Sequence, residues 1–192
     1  MDYTRLTLAE VRSALDDVAR DARATFGALD PSQLNWRPDA SRWSVAQCFE
    51  HLLTSNRFVL RAADEALEGR SPAFWRLLPF LPGLMGPALI RSQAPGTTRK
   101  YKTPRKTQPT TSDISGDVIE RFVEQNRDIV RWTSAFDDDK AARAIMVSPF
   151  IPLIAYSVLD ACRLLVTHDQ RHVEQARRVL ASAHDGASLR SG

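Results

Sequence analysis

The chain reads as an all-α protein, an antiparallel four-helix bundle with a long crossover connection between its second and third helices. Three observations predict this. Four separate stretches carry apolar residues at helical spacing, two of them open with a capping-box signal, and no run shows the strict alternation of a half-buried strand.

The first helix is predicted to start at Thr7, where Thr7-Leu8-Ala9-Glu10 fits a capping box. Leu8, Val11, Leu15, Val18, Ala22 and Phe26 then recur on one face, and the helix ends before Asp30-Pro31. A loop containing Asn35-Trp36-Arg37-Pro38-Asp39 leads to the second helix, which Ser44-Val45-Ala46-Gln47 caps and which runs to about Gly69. Trp36 and Trp43 are expected to pack the corner between these two helices.

Residues 70–114 read as a long irregular connection, with short helical turns near Phe74–Phe80 and Leu84–Ile90. It contains an apolar run, 71–90, of about the length of a membrane span. Four prolines, two glycines and Arg76 argue against a span, because the freed backbone groups would find no water in lipid. Trp75, with Phe74, Phe80 and Met85, is a candidate apolar wall over a pocket. The basic segment Arg99–Lys106 follows, and reads as a solvated loop or as a place to capture an anionic ligand.

The third helix is predicted from about Gly116 to Phe136, with Val118, Phe122, Ile129, Thr133 and Phe136 on one side, closed by Asp137-Asp138-Asp139. Trp132 lies in its core or on a dimer surface. A loop with Ser148-Pro149-Phe150-Ile151-Pro152 precedes the fourth helix, from about Ser157 to Ser182. The domain expected is thus one bundle over 1–183, with a frayed tail over 184–192 that includes a solvated His184.

Composition bounds the class. With 192 residues, 43% hydrophobic and 26% charged, the chain suits one ordinary globular domain, and a net charge of +3 is too small to imply nucleic acid by itself. Cys48 and Cys162 form no CxxC pair and sit in predicted helices, so they read as small core residues in a reducing, cytoplasmic setting. No secretion signal is visible at the N-terminus.

The chemistry-bearing pattern is His168 and His172, four residues apart on the fourth helix. At 100° per residue they share a side with Ala161, Leu164, Leu165, Ala176 and Val179, while Arg163, Gln170, Glu174 and Arg178 lie opposite. Two imidazoles on an apolar stripe need partners, and a shared metal ion supplies one for each. His51, inside the second helix, borders the Val45, Cys48, Leu52, Asn56, Val59 stripe. Its own line is small, Ser44, Ser55 and Ala62, which leaves room for a pocket.

Around these residues the sequence resembles the DinB-like superfamily. The matching pieces are Leu34-Asn35-Trp36-Arg37-Pro38, then Trp43-Ser44-Val45-Ala46-Gln47-Cys48-Phe49-Glu50-His51-Leu52, and His168-Asp169-Gln170-Arg171-His172-Val173-Glu174-Gln175, in the same order and separation over about residues 8–183. The resemblance implies a four-helix bundle with a long crossover, a divalent metal, zinc or nickel above others, held by His51, His168 and His172, and a homodimer. Its characterised members include transferases that use low-molecular-weight thiols, and fold alone does not settle the reaction.

Three neutral ligands leave the ion an open position, the arrangement of catalytic sites. No general base accompanies the triad: Asp169 points roughly 100° from His168, and Glu50 and Glu174 fall on outer sides. Gln175, a further turn along from His172, returns to the metal face. These features favour transfer of a low-molecular-weight thiol to an electrophilic small molecule, with a metal-dependent hydrolase and a non-catalytic metal-binding module as alternatives.

Overall fold

The computed structural model describes residues 2–70, 80–96, 103–111 and 113–188, with backbone alone after Ala183. The expected turn at Phe74–Phe80, the Trp75 wall, the Arg99–Lys102 part of the basic segment and the solvated His184 side chain lie outside the described residues or side chains.

A 3₁₀ turn, Tyr3–Arg5, precedes α1, Leu8–Phe26. Thr7 caps α1 with both halves of the capping box made, its side chain accepting from Glu10 N–H while Glu10 accepts from Thr7 N–H. The short helix α2, Pro31–Asn35, follows Asp30, whose carboxylate accepts from Ser32 and Gln33 N–H, and it occupies part of what the sequence predicts as loop. The helix α3, Val45–Leu67, starts on the Ser44–Gln47 box as predicted.

Four differences from the sequence reading follow. Residues Leu81–Gln93 form a regular helix, α4, rather than a brief turn. Pro82 lies in its first turn, where no backbone donor is lost, and Gly86 lets it seat closely on the last helix, since a Cβ there would stand 2.8 Å from the Asp160 carboxyl carbon. After α5, Val118–Thr133, the acidic run opens another helix, α6, Asp138–Arg143, instead of closing the one before. Asp137 accepts from Lys140 N–H at 2.7 Å, and the Asp138 carboxylate accepts from Leu8 N–H at 3.2 Å. The Pro-containing loop before the last helix is the tip of a small antiparallel hairpin, β1 Ile145–Val147 and β2 Ala155–Ser157, with Met146 opposite Tyr156. The last helix, α7, spans Val158–Ser188.

The four long helices stand around the bundle in the order α1, α5, α3, α7. Contacts between named residues give their directions. Arg12 reaches the Thr133 carbonyl and Arg23 pairs with Glu120, so α1 and α5 run antiparallel. Asn56 meets Asp169 midway along α3 and α7, and since Val45 shares one half of the core with Val179 while Ala63 shares the other with Val158, these two are also antiparallel. Gln125 donates to the Leu53 carbonyl at 2.9 Å and Trp132 to Asp64 at 2.6 Å, so α3 and α5 run the same way. A chain that enters α5 in the direction of α3 must first travel back along the bundle, and the long crossover with α4 does so.

The core has two apolar halves. Phe26, Phe49 and Phe122 meet edge to face near one end, at centroid distances of 5.3 and 5.0 Å, with Leu52 and Val173 around them. Leu15, Ile129, Met146, Tyr156 and Leu165 fill the other. Near the middle lie fully buried polar side chains, Asn56, Asn126, Thr167 and Asp169. Among the described residues no helix is long and apolar enough to cross a membrane.

Candidate metal centre

The Ser44 cap fixes where α3 begins, and so places His51 two turns in, facing α7. On α7, His168 and His172 stack one turn apart on the side that meets α3. The structure brings the three histidines together: one nitrogen from each lies within 4.8 Å of the others. His51 Nε2 and His168 Nε2 are 3.3 Å apart, and the His172 ring lies 4.6 Å from His51 and 4.7 Å from His168, centroid to centroid.

A tetrahedral ion at about 2.05 Å from each nitrogen separates its ligand atoms by about 3.3 Å. The closest nitrogen pair already stands at that spacing. The two Nε2 atoms cannot both carry protons at such a distance, so at least one offers a bare lone pair to the other.

Hydrogen bonding says which proton is where. His51 Nδ1 lies 2.7 Å from the Thr107 carbonyl oxygen, an acceptor only, so Nδ1–H donates to it and Nε2 is left as the free lone pair. Burial pushes all three imidazoles toward the neutral, ligating form. His168 falls to about 3 through desolvation and then the neighbouring His51 and Arg171; His172 lies well below the ordinary histidine value for the same first reason, with His168, His51 and Arg171 adding to it; His51 is lowered by burial against the opposing Thr107 bond. His172 Nδ1 is buried without a hydrogen-bond partner. The Gln175 amide acts on the His172 ring in the direction that favours protonation, yet leaves Nδ1 unsatisfied in ordinary hydrogen-bond geometry. Converging neutral nitrogens, one pair at tetrahedral spacing and one orphaned ring atom, fit a divalent cation.

The surroundings differ from the sequence reading in two places. Trp43 does more than pack a helix corner: its ring stacks on His172 at 5.9 Å and 24°, and stands 5.1 Å from His51. Asp169, which the helical wheel turns roughly 100° from His168, is fully buried, accepting from Asn56 Nδ2 at 3.1 Å, and desolvation raises its carboxyl to about 7 against the opposing bonds from Asn56 and Asn126. A single-faced helical wheel misses it because α1, α3 and α4 all pack on α7. Asn56 on the α3 stripe, and Asn126 between Phe122 and Ile129 on α5, were the sequence signals that a buried polar partner existed.

Other candidates fall as follows. Ser55 Oγ is buried, 3.5 Å from both His51 ring nitrogens. Glu50 accepts from Thr110 N–H at 2.6 Å, and Glu174 pairs with Arg177 and Arg178 on the outside. Cys48 and Cys162 are buried free thiols raised to about 12, inert as nucleophiles. In the described part of the basic segment, Lys106 bonds the Pro149 carbonyl and sits over Phe58 at 4.7 Å, a packing role rather than an open anion site.

Similarity to known proteins agrees with this arrangement. The model of the DinB superfamily matches residues 14–176, a span that contains all three histidines. Among solved structures, YfiT from Bacillus subtilis, described as a probable metal-dependent hydrolase with an unusual four-helix bundle topology, aligns with a TM-score of 0.53 at 13% identity over 90% of this chain and 85% of that one. At that identity the likeness is one of fold. No curated protein sequence matches the chain.

Proposed function

Since the chain belongs to the DinB superfamily, we propose that it is a metal-dependent enzyme with His51, His168 and His172 as the ligands of a divalent ion, zinc or nickel, and that it transfers a low-molecular-weight thiol to an electrophilic small molecule. The observation that carries the metal reading is the convergence of three imidazoles, His51 buried and His168 and His172 half-buried, whose nitrogens lie within 4.8 Å of one another. A divalent ion bound there supplies Lewis-acid activation of an incoming thiol or water.

The remaining roles belong to the chain's own groups. The Thr107 carbonyl holds the His51 proton on Nδ1 and turns Nε2 inward. Trp43 covers His51 and His172, keeping solvent off their rings. The nearby carboxylates are engaged elsewhere, Glu50 by Thr110 and Asp169 by Asn56, so neither is placed to take a proton from water. That favours a nucleophile acidic enough to need no protein base, and a thiol is one. Because Cys48 and Cys162 are buried and held protonated, the thiol comes from solution.

Hydrolysis is the second reading, favoured by the description of YfiT as a probable metal-dependent hydrolase and by the shared fold. Exposed Phe80, Leu84, Ile151 and Leu153 support a homodimer, which we take as the working form of a single bundle domain acting in the cytoplasm. The deciding experiment is turnover of a generic electrophile by zinc-loaded or nickel-loaded protein, with and without a panel of physiological thiols. Metal-dependent turnover only with thiol is expected. Ester or amide cleavage without added thiol would establish the hydrolase instead.

A further inference from the structure

The returning end of the crossover is held by side chains from the first two of the three matching sequence pieces, and one of them is His51. The Thr107 carbonyl accepts from His51 Nδ1 at 2.7 Å, the Thr110 carbonyl accepts from Gln47 Nε2 at 2.7 Å, and Thr110 N–H donates to the Glu50 carboxylate at 2.6 Å. Further on, the Asn35 amide pairs with both the N–H and the carbonyl of Ile114, each at 2.9 Å. Gln47, Glu50 and His51 are spaced i, i+3 and i+4, so they present one face of α3 to a single short stretch of backbone.

We propose that Gln47 and Glu50 are positioning residues for the metal centre. By clasping Thr110 they keep the Thr107 carbonyl on His51 Nδ1–H, so that docking of residues 107–110 and binding of a divalent ion strengthen each other. The proposal rests on the reading of His51, His168 and His172 as ligands.

The physical reason is the two-sided nature of imidazole. With Nδ1–H committed to Thr107, Nε2 is held as a lone pair aimed at His168. Without that acceptor the ring is free to shift its proton, or to turn toward Ser55 Oγ, which stands 3.5 Å from either nitrogen. The Thr107 turn approaches the clasp from an anchored base: its hydroxyl donates to the Pro104 carbonyl at 3.1 Å, and Lys106 is fixed on Pro149, Phe58 and Phe150. Coupling between two binding events is reciprocal, so whatever the docked segment adds to ion affinity, the ion adds to docking. A clasp with a merely structural role changes stability and leaves ion affinity alone.

The test uses the full chain freed of metal and titrated with zinc. Glu50 is the residue to change, because Gln47 also closes the α3 cap. Glu50→Ala is expected to weaken zinc binding by about 10-fold, the lower end of what losing a ligand's own partner costs because Glu50 acts through Thr110, and Glu50→Gln, which keeps an acceptor oxygen, to recover most of it. Amide hydrogen exchange over Thr107–Thr110 in the wild type is expected to slow on adding zinc. This second measurement decides the matter even where Glu50→Ala does not fold. Zinc affinity within twofold of wild type in Glu50→Ala, or exchange over Thr107–Thr110 indifferent to zinc, overturns the clasp while loss of binding in His168→Ala leaves the triad standing. Undiminished binding in His168→Ala overturns the triad reading and the clasp with it.

Discussion

His51 Nε2 and His168 Nε2 lie 3.3 Å apart, although 117 residues separate them in the chain. Two nitrogens at that distance, in a desolvated site, share at most one proton between them, and the Thr107 carbonyl already claims the His51 proton at the far side of the ring. The pair is thus arranged for something other than each other. With His172 closing the group, the geometry is that of ligands awaiting a cation, and its consequences can be measured.

The first consequence is stabilisation by metal. A ligand at a hundred times its dissociation constant stabilises the folded state by about 2.7 kcal/mol, which for a chain of this size raises Tm by roughly 5–10 °C. Zinc or nickel should produce such a rise in the wild type, reversed by a chelator, and none in His168→Ala. Differential scanning fluorimetry with and without metal is sufficient, and equal rises in both proteins would remove His168 from the ligand set.

The second is acid sensitivity of the metal-free protein. The three histidines have folded pKa values below the unfolded value of about 6.5, with His168 near 3. Below pH 6.5 the unfolded chain therefore binds protons that the folded chain refuses, and their contribution, complete above that pH, is lost as pH falls toward 3. Each such group changes stability by about 1.4 kcal/mol per pH unit within its window. Asp169, raised from 3.8 to about 7, acts in the opposite sense, favouring the folded state at low pH and losing that contribution as pH rises through 7. His168 and His172, the two lowered furthest, together outweigh Asp169, so acidification below about pH 6.5 is a net loss of stability. Urea unfolding of metal-free protein should show lower stability at pH 5 than at pH 7, with a shallower dependence in His172→Ala. A flat or inverted profile in the wild type contradicts the burial of neutral histidines.

Local signals were legible in the sequence, and relations between distant segments much less so. The starts of α1 and α3 could be read because a capping box is written in four consecutive residues, Thr7–Glu10 and Ser44–Gln47. The His168–His172 pair could be phased because α7 is long and its apolar residues are regular. Thr107 could not, since a backbone carbonyl carries no side-chain code and any residue there could offer one. Trp43 stands beside α3, where its position at the helix corner puts it, but its ring turns onto the histidines, a rotamer choice invisible to spacing. The helix α4 is masked in the sequence by its prolines, although Pro82 lies harmlessly in the first turn and the cost of Pro87 inside the helix is set against burial of Ile90 and the close seat at Gly86.

Trp43 supplies the third prediction. Its ring is stacked at 24° on His172 and tilted at 49° to His51, so it restrains two rings that the hydrogen bonds do not fully fix, His172 above all. Trp43→Ala should weaken zinc affinity by about tenfold, the lower end of what supporting contacts contribute, while Trp43→Phe, which keeps a flat apolar face, should stay close to wild type. Isothermal titration of the three proteins compares them directly. Equal affinity in Trp43→Ala would show that Trp43 is a packing residue only.

The fourth prediction concerns the seat of α4. At Gly86 an added Cβ would meet the Asp160 carboxylate, 2.8 Å from its carboxyl carbon, and Asp160 cannot easily retreat because it is buried and paired with Arg163 at 2.8 Å. Gly83, in the same helix, has nothing within 4 Å of the equivalent position. Gly83→Ala should therefore be neutral or stabilising, by up to about 1 kcal/mol from helix propensity alone. Gly86→Ala should cost about 1–3 kcal/mol through overpacking, a fall in Tm of roughly 3–10 °C. The clash is specific to one partner, so the cost of Gly86→Ala should shrink when it is made in an Asp160→Ala background, whatever that background itself costs through the unpaired Arg163. Thermal unfolding of the wild type, the Gly86→Ala and Asp160→Ala variants and their combination closes the cycle, with Gly83→Ala measured beside them, and a Gly86→Ala variant as stable as Gly83→Ala would mean that α4 does not sit on α7 at this contact.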